Sequence, residues 1–499
     1  MATAVGRTPS DVASFGKLAE GGFNRVFEAV FNDGKRVLAR LPYPSTMPKH
    51  YAVASEVATM DFLRLQGIRT PKVHAWSSTQ NNGVGSEYII MWRLDGQPLG
   101  ATWYSLTSKQ QHKVIKQIVE LETRLMSLDF PACGSIYYQK DLHSERKTPL
   151  SGQKEFCIGP IAHYSWWHGE RSRLDLDRGP WSLSGDILRA VGERELTWLK
   201  ACGTPRLPYE RLYREIYNFH KMPPDEHINN LSDFLLLVPC LGFRGDSILE
   251  RPVIRHPDFQ PNNILVSENH DIVGLIDWQH SCVLPLGLAA GIPKHFQNYG
   301  DPASENPIQP QLEYPEGYDA MPLSEQAEIR EVFRRRLVHF LYAAFTLRLN
   351  PAHYQAIFND PVILHQRLLE SAGTPWEGDS VSLKAGLIRI TQSWPSLRTS
   401  SAVAARSEAC HAPPLSYPET VISTVLKLHE QQEEADMAMK EMRDMLDTDE
   451  LGWVPNDQYE AATEIAGEMK AKMLEVAETE NEIIAVRDHF PFEDFDENC

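Results

Sequence analysis

The sequence contains no apolar run approaching the roughly 18 residues of a membrane span, and no internal repeat. It is poor in cysteine. The seven present (Cys133, Cys157, Cys202, Cys240, Cys282, Cys410 and Cys499) are odd in number, scattered and never spaced C-x-x-C. That pattern reads as neither a disulfide framework nor a zinc site, and it points to a reducing compartment. The opening segment, MATAVGRTPSDVASFGKLAEGG, lacks the apolar centre of a signal peptide. It is also poor in arginine and carries an early acid, Asp11, against the pattern of a transit peptide. An intracellular, cytoplasmic chain is expected on these grounds.

Acid is in excess, but only locally. The formal net charge is −18 over 499 residues. Residues 419–499 hold 23 acids against 6 bases, which leaves 44 acids and 43 bases in the rest of the chain. The acidity argues against nucleic acid as a partner of the tail and places no obstacle before a phosphate-binding body.

Periodicity divides the chain into four parts. After a short extension (residues 1–13), residues 14–92 form a β-rich lobe. Its strands fall around Phe15–Leu18, Asn24–Phe31 and Lys35–Leu41, with Asn32-Asp33-Gly34 as a hairpin turn. A helix follows from His50 to Gln66, with Val53, Val57, Met60 and Leu63 at helical spacing and Gly67 as its stop. A β pair and the strand Glu87–Met91 complete this lobe. Residues 93–400 read as a larger, mainly helical lobe that opens on a helix from Leu106 to Leu128. Its one β exception is a hairpin at 264–276. Residues 401–499 read as an extension with two acidic amphipathic helices, 419–447 and 457–485, preceded by a proline-bearing stretch at 396–418. The fold class expected is α+β: a two-lobed, protein-kinase-like chain with a small antiparallel N-lobe.

The most informative segment is HPDFQPNNILVSENHDIVGLIDW, His256–Trp278. Two apolar runs, Ile264–Val266 and Ile272–Ile276, flank a polar turn. Asn263 precedes the first strand and Asp277 follows the second. An antiparallel hairpin therefore brings an amide oxygen and a carboxylate to the same open end, about 5 Å apart across the ladder. Hard oxygens of this kind suit magnesium, with water and phosphate oxygens filling the other positions. Asp258 lies five residues before Asn263. The resulting H-x-D-x-x-x-x-N spacing is that of a kinase catalytic loop, in which the aspartate orients an attacking hydroxyl. His256 is expected to brace this loop.

A second constellation lies in the small lobe. Gly21 and Gly22, followed by Asn24, form the turn between the first two strands, where backbone N–H groups can approach phosphate oxygens. Arg40 ends the third strand, and Glu56 in the following helix is spaced to pair with it. Met91 and Arg93 mark the expected hinge, where an adenine would meet backbone groups. In order, a glycine turn, a strand cation, a helical glutamate, a catalytic loop and a metal aspartate follow the sequence of a kinase.

The pattern GGFNRVF, VLARLP, ASEVATMDFL, EYIIM, HPDFQPNNILV and GLIDWQHS resembles the phosphotransferase family that includes aminoglycoside and choline kinases. It looks closest to the fungal branch called "altered inheritance of mitochondria" proteins. FCIGP (156–160), GERSRLDLDRGPW (169–181) and LPLGLAAGIPKHFQNYGDP (284–302) look like further marks of that branch. The resemblance implies transfer of the ATP γ-phosphate to a hydroxyl of a small molecule, with Asp258 as catalytic base. It implies Asn263 and Asp277 as magnesium ligands, and Gly21, Gly22 and Asn24 as the phosphate loop. Arg40 and Glu56 would be the phosphate-positioning pair. It also implies a mitochondrial address on further N-terminal sequence. Two departures from the family pattern stand out. Arg40 occupies the position of the usual lysine, and Leu284–Ala290 lacks the aspartate that many aminoglycoside kinases carry there.

Tyr164, Trp166, Trp167, His168, Arg171 and Arg178 concentrate aromatic and basic character in one region. They read either as a cover for the acceptor or, more simply, as packing of the large lobe. His280, just beyond Asp277, reads either as approaching the cleft or, more simply, as a structural histidine. The rival to the enzyme reading is a nucleotide-binding pseudokinase or scaffold, acting through a protein partner of its helical tail.

Overall fold

The computed structural model describes residues 1–143, 145–305, 308–311, 313–399, 412–448, 454 and 458–493. The N-terminal part is a five-stranded antiparallel sheet in the order β1-β2-β3-β5-β4. Its strands are β1 (Val12–Glu20), β2 (Asn24–Phe31), β3 (Arg36–Pro42), β4 (Val73–Ser77) and β5 (Tyr88–Trp92). Helix α1 (Tyr51–Leu65) lies between β3 and β4 in sequence. It ends where the sequence places a stop. Gly67 has φ +74°, its N–H donates to Arg64 O at 3.0 Å, and Ile68 N–H donates to Leu63 O at 2.9 Å. These are the two bonds of a Schellman cap. Val53, Val57, Met60 and Leu63 of α1 are all buried in the main core, beside Ile89 and Met91 of β5.

Only one strand, β4, stands where a β pair was expected before β5. The reason is Asn82. Its Nδ2 donates to Ser77 Oγ, Thr79 O and Ser86 O, while its Oδ1 accepts from Val84 N and Gly85 N. One side chain satisfies the backbone locally, so no ladder partner is needed.

The larger lobe is mainly helical, with α2 (Ser108–Met126) and the long helix Leu323–Leu349 among its elements. It also carries more β structure than expected. The strand β6 (Gln97–Pro98) joins the hairpin of β11 (Ile264–Val266) and β12 (Ile272–Leu275). The strands β7 (Ser135–Tyr138), β8 (Thr148–Pro149) and β9 (Phe156–Gly159) make a second small sheet, and β10 (Pro252–Ile254) pairs with β13 (Val283–Pro285). These runs have only two to four residues, too short for alternation to register in a sequence.

By packing, the chain divides into two compact units, residues 1–187 with 242–363 and residues 188–241 with 364–499. The acidic helices belong to the second unit. The helix Glu419–Met445 sets Val425 against Ala385 and Ile388, and Met439 and Met442 are buried. Where one helix was expected over 457–485, two occur, Tyr459–Val476 and Glu480–His489. Thr479 caps the second one with Glu482, each side chain meeting the other's backbone N–H, a capping box that starts a new helix. The centre of the proline-bearing stretch, 400–411, and most of the break between the expected tail helices lie outside the described residues. Among the described cysteines Cys133, Cys157, Cys202 and Cys282 are free, whereas Cys240 is disulfide-bonded, which the scattered spacing did not suggest. No helix among the described residues is long and apolar enough to cross a membrane.

Candidate phosphotransfer site

The hairpin carries the site as its spacing requires. Ile264 pairs with Leu275 and Leu265 with Gly274. One step beyond that register, Ile276 N–H donates to Asn263 O at 3.1 Å. The residue before β11 and the segment leading into Asp277 therefore share one end of the ladder. Asp277 itself has φ +63°. A non-glycine residue in the left-handed region costs on the order of 1 kcal/mol and is held there by its surroundings. The turn re-aims the carboxylate away from the strand direction.

The loop before β11 is fastened from two sides. Asp258 N–H donates to His256 Nδ1 at 3.2 Å. Since that ring nitrogen must accept, the proton sits on Nε2, which donates to Ile276 O at 2.8 Å. Burial pushes the His256 pKa below its ordinary value, so the ring is held neutral. On the other side, Asn263 Nδ2 donates to both Asp258 O and Asp258 Oδ2 at 2.9 Å. Both neighbours are pure acceptors, which fixes the orientation of the amide and turns its oxygen away from Asp258. Gln260 Nε2 is a further donor to Asp258 Oδ2. The Asp258 carboxylate is thus oriented by two amides while its loop is pinned to Ile276, between β12 and Asp277.

Arg40 joins the small lobe to this assembly. It lies on β3, paired with Val26 on one side and Ile89 on the other, and is only 6% exposed. Its Nη1 bonds Glu56 of α1 and lies 3.2 Å from Asp277 Oδ1. Burial, together with the nearby Asp277 charge, raises the Glu56 pKa to about 7, against the opposing pull of Arg40. The second guanidinium nitrogen, Nη2, donates to Gln279 Oε1, and the same oxygen accepts from Asn24 Nδ2 at 2.7 Å.

The structure therefore brings Asn24, Arg40, Glu56 and Asp277 into one network, and Asp258, Asn263 and His256 into a second one against the same hairpin. Gly21 and Gly22 lie at the turn before Asn24, exposed, with Gly21 N–H donating to Asn24 O at 3.0 Å. Met91 and Arg93 are not part of either network. Met91 is buried in the main core, and Arg93 bonds Glu28 at 2.6 Å while its backbone N–H donates to Arg36 O. Gln279 received no role from the sequence, although it lies two residues past Asp277 in the segment IDWQH. A bond to a strand 239 positions earlier leaves no local periodic trace.

The aromatic–basic region mostly packs. Trp166 lies against Trp181 with ring centres 5.2 Å apart. Trp167 stacks on Tyr51 at 4.8 Å, with the Arg178 guanidinium 4.0 Å from its ring centre. Tyr164 and His280 instead approach Phe23 of the glycine turn, at 5.8 and 5.1 Å.

The donor set fits a divalent ion of the hard type. Asn263 has committed its nitrogen and kept its oxygen, and Asp277 is half-exposed with one oxygen on Arg40. An amide oxygen and a carboxylate suit magnesium better than a softer metal.

A β-rich small lobe, a larger helical lobe and a hairpin-borne Asp/Asn/Asp set define a kinase-like phosphotransferase fold. Residues 15–288 match the Phosphotransferase enzyme family. The chain belongs to that family. It is similar to a subtelomeric hrmA-associated cluster protein of Aspergillus fumigatus, 32% identical over 97% of both chains. It is also similar to altered inheritance of mitochondria protein 9, mitochondrial, of Kluyveromyces lactis, 25% identical over 77% of this chain and 65% of that one. Among solved structures, the streptomycin-ATP-APH(2″)-IIa ternary complex aligns over 76% of this chain and 92% of that chain, at 12% identity and a TM-score of 0.35.

Proposed function

We propose that the chain is an ATP- and magnesium-dependent kinase that transfers the γ-phosphate to a hydroxyl of a small-molecule acceptor. The observation that carries the reading is the pair of hydrogen bonds that Asn263 Nδ2 donates to Asp258 O and Oδ2. It holds a carboxylate in a fixed pose beside a residue whose amide oxygen is left for a cation. In this reading Asp258 orients the acceptor hydroxyl and accepts its proton. Asn263 and Asp277 hold magnesium, which when bound offsets charge on the phosphate oxygens. Arg40, braced by Glu56, faces the phosphate tail, and the turn at Gly21, Gly22 and Asn24 covers it. The adenine end falls to the segment around Met91 and Arg93. Residues 14–92 would then serve the nucleotide and 93–400 the acceptor. The rate gain comes from positioning and electrostatics. Relatives named as mitochondrial proteins favour a mitochondrial setting for the same activity.

A second reading has one observation in its favour. The 3.2 Å contact of Arg40 with Asp277 occupies an oxygen that a metal would use, as suits a nucleotide-binding scaffold without turnover. Incubation with MgATP and a panel of hydroxylated metabolites separates the two. Acceptor-dependent ADP release, with a phosphorylated product seen by mass spectrometry, supports the kinase. Nucleotide binding with no product from any acceptor supports the scaffold.

A further inference from the structure

The network around Arg40 includes an acceptor to which the reading above gives no role. Gln279 is buried, and its Oε1 receives hydrogen bonds from both Arg40 Nη2 and Asn24 Nδ2. One amide oxygen therefore links the glycine turn, strand β3 and the segment after β12. Resting on the phosphotransfer reading, we infer that Gln279 is a positioning residue for the polyphosphate tail of the nucleotide. It sets the direction of the Arg40 guanidinium and ties the Asn24 end of the glycine turn to the metal-binding segment.

The reason lies in what surrounds Arg40. Two carboxylates, Glu56 and Asp277, already share its Nη1. A guanidinium is a planar fork, and its direction is set by the acceptors along its edges. With no acceptor on Nη2, the fork is free to turn fully onto Asp277, closing the carboxylate that a divalent ion needs. Gln279 anchors Nη2 without adding negative charge. A carboxylate in its place would be the third around one cation and would cancel the field that attracts phosphate. Asn24 depends on the same acceptor. Its Oδ1 is buried and has no partner, so the bond to Gln279 is what orients its amide. The position thus calls for a neutral acceptor of one particular length.

Gln279→Met and Gln279→Glu in the full chain test this. Methionine keeps length and volume and removes the acceptor; glutamate keeps the acceptor and adds charge. Binding of the magnesium complex of AMP-PNP is measured by calorimetry, KM for MgATP and for the acceptor by kinetics, and folding by thermal unfolding without nucleotide. Both variants are expected to bind the analogue about tenfold or more weaker, Gln279→Met by losing one hydrogen bond to a charged group and Gln279→Glu by setting a third carboxylate beside Arg40. KM for MgATP should rise in parallel while KM for the acceptor stays unchanged, a split that a general loss of structure would not give. Gln279→Glu should unfold near the wild-type temperature, so it carries the test if Gln279→Met does not fold. A folded variant that binds the analogue with wild-type affinity overturns the inference and leaves the phosphotransfer reading standing. Wild-type protein that binds no nucleotide overturns that reading and the inference with it.

Discussion

His256 Nε2 donates to the carbonyl of Ile276 at 2.8 Å, so one neutral ring fastens the loop of Asp258 to the strand that delivers Asp277. The ring is buried, packed on Trp278 at 4.5 Å between ring centres. Replacing it with alanine strands the Asp258 N–H and the Ile276 carbonyl and opens a cavity. His256→Ala should lower stability by about 2–4 kcal/mol, read by urea unfolding. Nucleotide binding through the small lobe should suffer less than turnover. A variant as stable and as active as wild type would show that the ring does not hold the loop.

Glu56 gives a pH prediction with a definite sign. Its folded pKa is raised from 4.5 to about 7. Between those values the folded state keeps a proton that the unfolded state has released. Stability from this residue is therefore present below about pH 4.5 and declines as pH rises towards 7. Glu56→Gln cannot titrate, so wild type minus variant should show this downward slope across that window. A flat difference would mean that Glu56 is ionised throughout.

Gly96 tests how closely the chain that follows β5 must approach the hairpin. It has φ +108°, and a Cβ there would meet Val266 O of β11 at 2.9 Å. The chain after β5 can approach the hairpin this closely only without a side chain. Gly96→Ala should cost about 1–3 kcal/mol from the backbone conformation alone, with the crowding added, seen as a lower midpoint of thermal unfolding. Unchanged unfolding would place this contact among the dispensable ones.

The acidic helix Glu419–Met445 packs within its own unit. Gln432 Nε2 bonds Asp379 at 2.8 Å, Tyr213 bonds Asp436 at 2.8 Å, and Val425 lies on Ala385 and Ile388. Val425→Asp would bury a charge with no partner and should destabilise by roughly 3 kcal/mol. Limited proteolysis should then cut within Glu419–Met445. Resistance equal to wild type would favour a helix whose apolar stripe serves a partner protein instead.

Most of what could be read in the sequence was local. Asp258, Asn263 and Asp277 fall within 20 residues of one another around a single hairpin, whose pairing sets Asn263 beside the segment leading into Asp277, while side-chain bonds from His256 and Asn263 hold Asp258. Arg40 and Glu56 belong to consecutive elements, β3 and α1, and their spacing announced the pair. The Thr479–Glu482 capping box was equally legible as T-x-x-E, but the acidic periodicity on both sides masked it. Contacts across long separations were not legible. Neither Gln279 on Arg40 nor Phe23 against Tyr164 and His280 leaves any period to detect. The small sheets of the large lobe escaped because strands of a few residues carry too little alternation. Asn82 replaced an expected strand with a side-chain network that propensity does not represent.

The central claim is that Asp258 handles the acceptor hydroxyl while other residues hold the nucleotide, and Asp258→Asn tests it most directly. Asparagine keeps an oxygen to accept from Asn263 and Gln260 but cannot take a proton. Binding of magnesium AMP-PNP should stay close to wild type, while ADP production with an acceptor found by the metabolite panel falls by about 10²–10⁴-fold. Turnover at the wild-type rate would contradict the assignment.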